Sequence, residues 1–441
     1  MKTKIIAIVL ACLLIAGLAA CGGASQPSAS VPEPAPSNAQ PGSAEEAPVP
    51  AAATTELNIL YMGAAQPNEK QFLNAEVFDT FKNATGVDVY VDYQATQDGL
   101  KVIESEQASG NVTFDLIYID TANIPNYTKN GWVEDLTDLK SSLGLNITEM
   151  FSTTTTVDGR DYFIPITFDV YVTIANTKAL EYLPEGADYT NLTWEQYADW
   201  AVNIAQGSGS GKTMFPASLE GSQLLYPMAG MGLSYGGGFP DVNSDGFKAG
   251  MELLVKMAQG DALFSDQANF TAPTDPLKNE TVWLTFAHMG PVGVAYQSAP
   301  NKFVIGAAPI GSKGVGTTAG SWCYGIQKGA PNIENAKAFI AHVTSPEINY
   351  EICTGLGGYM SPVAEVQNLL GAEPGDEIMK AGAGILDTAI VTGVPASEYT
   401  DWNSVKLVYG DVFNKILNDK AMPDDAFFDE MQASIEDLRI K

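Results

Sequence analysis

Histidine and arginine are nearly missing from this chain of 441 residues. His288 and His342 alone are too few for a His-based metal site or a Ser-His-Asp hydrolase. Arginine stands only at Arg160 and Arg439. Forked recognition of carboxylate or phosphate favours guanidinium, so the sequence argues against a strongly anionic ligand and leaves a neutral or cationic one. Bases are scarce altogether, 23 Lys and Arg against 52 Asp and Glu, for a formal charge of −29. Nucleic acid is a poor partner for such a chain, and the acidic excess reads as solubility and surface repulsion. No nucleophile–base pair is visible, and no spacing of the many acids points to a glycosidase pair. Catalysis is therefore the weaker class, and neither a metal nor a cofactor is expected.

The N-terminus carries Lys2 and Lys4 and then an apolar or small run from Ile5 to Ala20. That is a signal segment (1–20), too short and wrongly flanked for a transmembrane helix. It ends Leu18-Ala19-Ala20-Cys21-Gly22, which resembles a bacterial lipobox, with cleavage before Cys21 and a lipid on its thiol. Residues 21–55 are Pro, Ala, Ser and Gly with few large apolar side chains, a disordered tether. Of the four cysteines, Cys12 leaves with the signal and Cys21 takes lipid. Cys323 and Cys353 either pair outside the cell or remain as two buried thiols. With 45% of the chain apolar, the roughly 385 residues beyond the tether suffice for two domains.

That body opens as strand–helix–strand–helix–strand: Leu57–Tyr61, Glu69–Thr85 closed by Gly86, Val87–Tyr93, Leu100–Ser109 closed by Gly110, and Phe114–Ile119 ending at Asp120. Such an order implies a parallel sheet. Ligands of parallel sheets sit beyond the carboxyl ends of strands, which nominates Tyr61–Gln66, Tyr93–Thr96 and Asp120–Asn123. Further on, Thr193 and Gln196 spell a capping box ahead of a helix, with Trp194 as core. Gly207–Thr213 (GSGSGKT) tempts a phosphate-loop reading, but Gln206 occupies the place of the first glycine and no strong strand precedes it, so it reads as a loop.

The stretch Val157–Asn176 organises the rest. A polar Asp158-Gly159 turn leads to Tyr162-Phe163-Ile164, then Pro165, then alternating β-branched residues to Asn176. Pro165 lacks a ladder donor, so the sheet is expected to pause there and restart, as a crossover between two lobes does. Asp158, Gly159, Tyr162 and Pro165 resemble the "DG-x-x-Y-x-x-P" segment of bacterial ABC-transporter solute-binding proteins, the carbohydrate-type family that includes maltose-binding protein. The "F-x-x-x-T-G-V-x-V" of Phe81–Val89, the "S-G-x-x-x-F-D-L-I" of Ser109–Ile117, the "G-W-V-x-D-L" of Gly131–Leu136, Trp283–Pro291 and Tyr359–Val363 resemble it in the same order. Val282, Phe286 and Val292 depart from its usual Gly, Met and Trp.

The resemblance implies a two-lobed α/β periplasmic-binding fold of type II, each lobe a mostly parallel sheet flanked by helices, with the ligand cleft at the hinge. Lobe 1 would comprise 56–166 and 321–372, lobe 2 167–320 and the C-terminal helices of 373–441. It also makes Ser244 a helix cap, against the alternative that Asp241–Glu252, which fits a calcium-loop pattern, binds that ion. Asp169 matches the family's cleft carboxylate, and a carboxylate within a β-branched run is a poor core residue. Tyr171 shares its face. Asp120, Tyr226, Trp322, Tyr324, Tyr359, Trp402 and Gln66 complete the expected binding set. The function implied is capture of a neutral sugar or oligosaccharide by hinge closure and delivery to ABC permease subunits. The receptor would be a monomer held on the outer face of the cytoplasmic membrane through Cys21. A polyamine or similar cation is the alternative ligand, and a surface glycosidase or adhesin the alternative class.

Overall fold

The computed structural model describes residues 55–63, 67–144, 147, 155–218, 223–386 and 389–440. The signal segment, Cys21, nearly all of the tether and Gln66 lie outside the described residues. Among those described, no helix is long and apolar enough to cross a membrane.

The leading strands form as their alternation predicts: β1 (Glu56–Met62), β2 (Asp88–Gln94) and β3 (Leu116–Asp120), with β1 parallel to both of the others. The helical segment 67–85, which includes one π turn, and the helix Thr96–Ser109 join them. Each is closed by a glycine in the left-handed region, Gly86 and Gly110. A small hairpin, β4 (Thr156–Val157) and β5 (Arg160–Asp161), turns at Asp158-Gly159 and leads into β6 (Ile164–Asp169). After Val170 alone the chain starts β7 (Tyr171–Asn176) in a different sheet. There follow β8 (Thr213–Met214), β9 (Leu284–His288), β10 (Phe303–Gly306), β11 (Ile310–Gly311), β12 (Gly314–Thr318), β13 (Gly320–Ile326) and β14 (Ile390–Thr392).

The first sheet has the order β2-β1-β3-β13-β6 and the second β10-β7-β9-β8, with β11-β12-β14 as a smaller third. Neither main sheet is mostly parallel, which corrects the expectation. β13 runs antiparallel to β3 and β6, and β7 antiparallel to β9 and β10. The reason lies in the crossovers: a strand leaving a sheet ends at the hinge, and one arriving from the other sheet begins there. Pro165 does not interrupt its strand either. It sits on the edge strand β6 at a register shift, where Trp322 faces Thr167 and Cys323 faces Pro165, so the missing N–H falls at a bulge on an edge. The sheets change at Val170 and again at Ala319. A third passage docks at Met360, whose N and O bond Phe168 at 2.8 Å each.

Apolar side chains pack both faces of the first sheet, Phe81 and Phe339 on one and Ile103, Tyr127 and Phe163 on the other. Buried Asp115 ties the sheet to the start of helix Ile333–Val343 by accepting from Asn58 N (2.8 Å) and from Asn332 N and Nδ2 (2.7 and 3.1 Å). Around the second sheet, Trp194 and Trp200 are fully buried with their indole N–H groups bonded to Ser234 Oγ (3.1 Å) and Ala179 O (2.7 Å). Trp194 opens the helix Trp194–Ser208 behind the Thr193/Gln196 capping box.

The remaining motifs resolve structurally. The Gly/Ser stretch closes that helix at its C-terminus through Gly209, the wrong pole for a phosphate. Ser244 caps the helix Asp245–Gln259, with Asp241 Oδ1 accepting from Asn243 N and Ser244 N (2.9 and 3.2 Å). No metal-holding cluster of three acidic, His or Cys side chains occurs among the described residues. Cys323 and Cys353 are separate buried thiols.

Candidate functional site

The strand ends at the crossovers surround a cavity of about 710 Å³. Asp120, Asp169, Tyr171, Tyr226, Trp322 and Trp402 all line it. Asp120 is the last residue of β3, where its Oδ1 accepts from Ala122 N (3.0 Å) and its Oδ2 from Asn123 Nδ2 (2.7 Å). Burial pushes its carboxyl up in spite of these bonds. Asp169 ends β6 and bonds the imidazole Nε2 of His288 at 2.9 Å. His288 ends β9, directly across from Tyr171 in the β7–β9 register. Burial disfavours the imidazolium, yet the charge and hydrogen bond of Asp169 outweigh it and raise the pKa of His288 above its ordinary value.

The aromatics come from four elements. Tyr171 lies 6.2 Å from Tyr226, on the helix Leu225–Ser234, and 5.7 Å edge-on from His288. Trp322 stacks on Tyr118 (5.3 Å, 10°), which stacks on Tyr61 (4.2 Å, 23°). Trp402 begins the helix Trp402–Asp419, capped by Asp401 through Asn403 N and Ser404 N (3.0 and 3.3 Å). On one rim the turn Thr121–Asn123 approaches the turn Ala396–Glu398. The buried hydroxyl of Thr318, at the end of β12, also lines the cavity and has no hydrogen-bond partner among the described residues. Aromatic rings, carboxylates, amides and hydroxyls in one cavity suit a solute with C–H faces and many hydroxyls.

Two expected residues fall elsewhere. Tyr324 is core, 3% exposed and packed against Tyr118 (4.7 Å) and Phe339 (5.4 Å). It shares a strand face with Trp322 but lies two residues farther from the hinge, about 7 Å along the strand. Tyr359 borders a separate cavity of about 110 Å³ with Tyr61, Glu69 and Tyr118, and Trp322 lines both spaces.

Sequence reasoning missed His288 and Lys406. Both had a signal: His288 ends a strand, and Lys406 follows Trp402 by four residues, one turn along the same helix face. The Lys406 ammonium lies 5.7 Å from the Tyr226 ring centre. Burial lowers its pKa, and the charge of Asp120 holds it up.

Two sheets exchanging strands, with the cavity at those strand ends, define a two-lobed architecture of the type II periplasmic-binding fold. Residues 76–381 match the family of bacterial extracellular solute-binding proteins. The chain belongs to that family. No curated protein sequence matches it. Among solved structures, it is similar to maltose-bound MalE3 of T. maritima, with 17% identity, 87% of this chain and 99% of that one covered, and a TM-score of 0.70. The cyclic α-maltosyl-1,6-maltose binding protein of Arthrobacter globiformis gives 15%, 88%, 99% and 0.69. UgpB of Mycobacterium tuberculosis in complex with glycerophosphocholine gives 14%, 88%, 98% and 0.68. At these identities the likeness is one of fold.

Proposed function

We propose that the protein is the substrate-binding component of an ABC importer and captures a neutral sugar or oligosaccharide without catalysing a reaction on it. The observation that carries this reading is the convergence of Asp120 and Asp169 with Tyr171, Tyr226, Trp322 and Trp402 on one 710 Å³ cavity. One similar structure is maltose-bound and another is a cyclic α-maltosyl-1,6-maltose binding protein, and both support a sugar. The polyamine alternative is weaker, because His288 and Lys406 set two bases among the carboxylates.

Lobe 1 (56–169 and 320–372) and lobe 2 (170–319 and 373–441) pivot near Val170, Ala319 and Met360. These bounds shift the expected 166/167 and 320/321, because β6 runs to Asp169 and β13 starts at Gly320 in the first sheet. Closure over the solute makes a surface that permease subunits distinguish from the open form. The monomer is tethered through lipid on Cys21 to the outer face of the cytoplasmic membrane.

Thermal unfolding against a panel of sugars and oligosaccharides tests the reading. A ligand at 100 times its dissociation constant adds about 2.7 kcal/mol. The expected result is an upward shift with a member of the panel that disappears in Trp402→Ala. A folded protein that responds to no sugar refutes the ligand assignment.

A further inference from the structure

Resting on the reading of the large cavity as the solute site, we infer that Lys406 sets its charge selectivity: the lysine occupies the place a ligand cation would take and so admits neutral, hydroxyl-rich solutes while rejecting ammonium compounds. Without Lys406 the cavity would be a box for a cation. Tyr171, Tyr226, Trp322 and Trp402 line the same cavity as the carboxylates of Asp120 and Asp169, and aromatic rings with carboxylates are the combination that attracts ammonium groups. The chain supplies its own bases to both kinds of partner. Lys406 reaches over the Tyr226 ring, with its nitrogen 5.7 Å from the centroid, and His288 engages Asp169 at 2.9 Å.

The position of Lys406 is built. It lies one turn into the helix Trp402–Asp419, whose start at Trp402 also lines the cavity. The segments before and after Trp402 hold that helix in place: Asp401 caps it, and Val405, Val408 and Tyr409 are buried beneath it. The lysine has no ion-pair partner within 4.0 Å among the described residues, in contrast to Lys415 on the same helix, which pairs with Asp419 at 2.7 Å. Asp120 is the carboxylate whose charge it feels, and that carboxylate is itself bonded by Ala122 N and Asn123 Nδ2. The ammonium is therefore left to donate hydrogen bonds to a solute oxygen, and a second cation entering the cavity meets a like charge in partly desolvated surroundings. Discrimination of this kind comes from the repulsive element as much as from the attractive contacts.

The test uses calorimetric titration of the wild-type protein, Lys406→Met and Lys415→Met with two probes, spermidine and maltotriose. Lys415→Met removes the same net charge from the same helix outside the cavity. The expected result is that Lys406→Met binds spermidine at least about tenfold more tightly than the wild type does, an effect weakened by salt, while Lys415→Met leaves spermidine binding unchanged. Equal spermidine binding by wild type and Lys406→Met, or an equal gain in both variants, overturns the inference, provided the melting curve of Lys406→Met shows a folded protein. If that variant does not fold, Lys406→Gln is titrated in its place, with the same criteria. Failure of the wild type to bind maltotriose or any other sugar bears on the sugar reading alone, because the gain in spermidine affinity is measured independently of it.

Discussion

Replacing Asp169 by Asn removes one charge from the floor of the cavity and leaves an oxygen able to accept from His288. The side chain of Asp169 is 8% exposed and that of His288 29%, with 2.9 Å between the bonded atoms. At an effective dielectric constant of about 20, two charges 2.9 Å apart attract by roughly 6 kcal/mol. Desolvation of both groups subtracts from this, which brings the net to the scale of a charged hydrogen bond, about 1.5–3 kcal/mol. With an unfolding entropy of about 2.1 cal/mol/K per residue, a body of roughly 390 residues loses about 1 °C for each 0.8 kcal/mol. The expected drop in Tm is therefore about 2–4 °C where the pair is fully charged.

The pH dependence has a definite sign. The pKa of His288 is raised in the folded state by Asp169, against the opposing effect of burial. Its stabilisation is then fully present below the unfolded value of 6.5 and is lost as pH rises through the folded one. Differential scanning calorimetry should find the gap between wild type and Asp169→Asn widest near pH 6 and closing as pH rises through the folded pKa of His288. The pKa of His342 is lowered, chiefly by burial, but both proteins carry it, so it cancels in the difference. A gap that stays constant or widens with pH would refute the assignment of a charged Asp169–His288 pair.

Trp322 and Tyr324 share a face of β13 but should separate in function. Trp322→Ala is expected to weaken solute affinity about tenfold or more with a small loss of stability, and Tyr324→Ala to cost about 3–5 kcal/mol in urea unfolding while sparing affinity in the fraction that folds. Gly293→Ala probes the close packing of helix Met289–Ser298 against the third passage, because its Cβ would lie 1.4 Å from the carbonyl oxygen of Gly357. It should cost about 3 kcal/mol or more, read as a lowered Tm; a melting curve like that of the wild type would refute this contact.

Local patterns carried much of the architecture. The alternating runs and closing glycines of 56–120 marked out β1 to β3 and their helices, and the Thr193/Gln196 box lay where its spacing placed it. What stayed hidden depends on residues distant in sequence. Pro165 looked like a break because its neighbours across the sheet, Cys323 and Trp322, arrive some 160 positions later and accommodate it with a bulge. The same distance concealed the antiparallel place of β13. Alternation put Trp322 and Tyr324 on one face, but not at one depth. His288 gained meaning only through its register against Tyr171, and Lys406 only through the turn it shares with Trp402. A short polar signal at each position became a site when four separate segments converged.

The central place of β13 also shapes how the molecule is made. Emerging N-terminus first, the chain can pair β1, β2 and β3 early, but β3 then presents an open edge carrying Ile117 and Ile119. The strand that covers this edge is synthesised roughly two hundred residues later, after the whole second sheet and all of the third except β14, so the part begun first is completed late. Until then the edge is free to recruit the wrong strand. A nascent chain arrested before Gly320 would keep that sticky margin, which makes the interval between β3 and β13 the stage at which a holding chaperone would matter most.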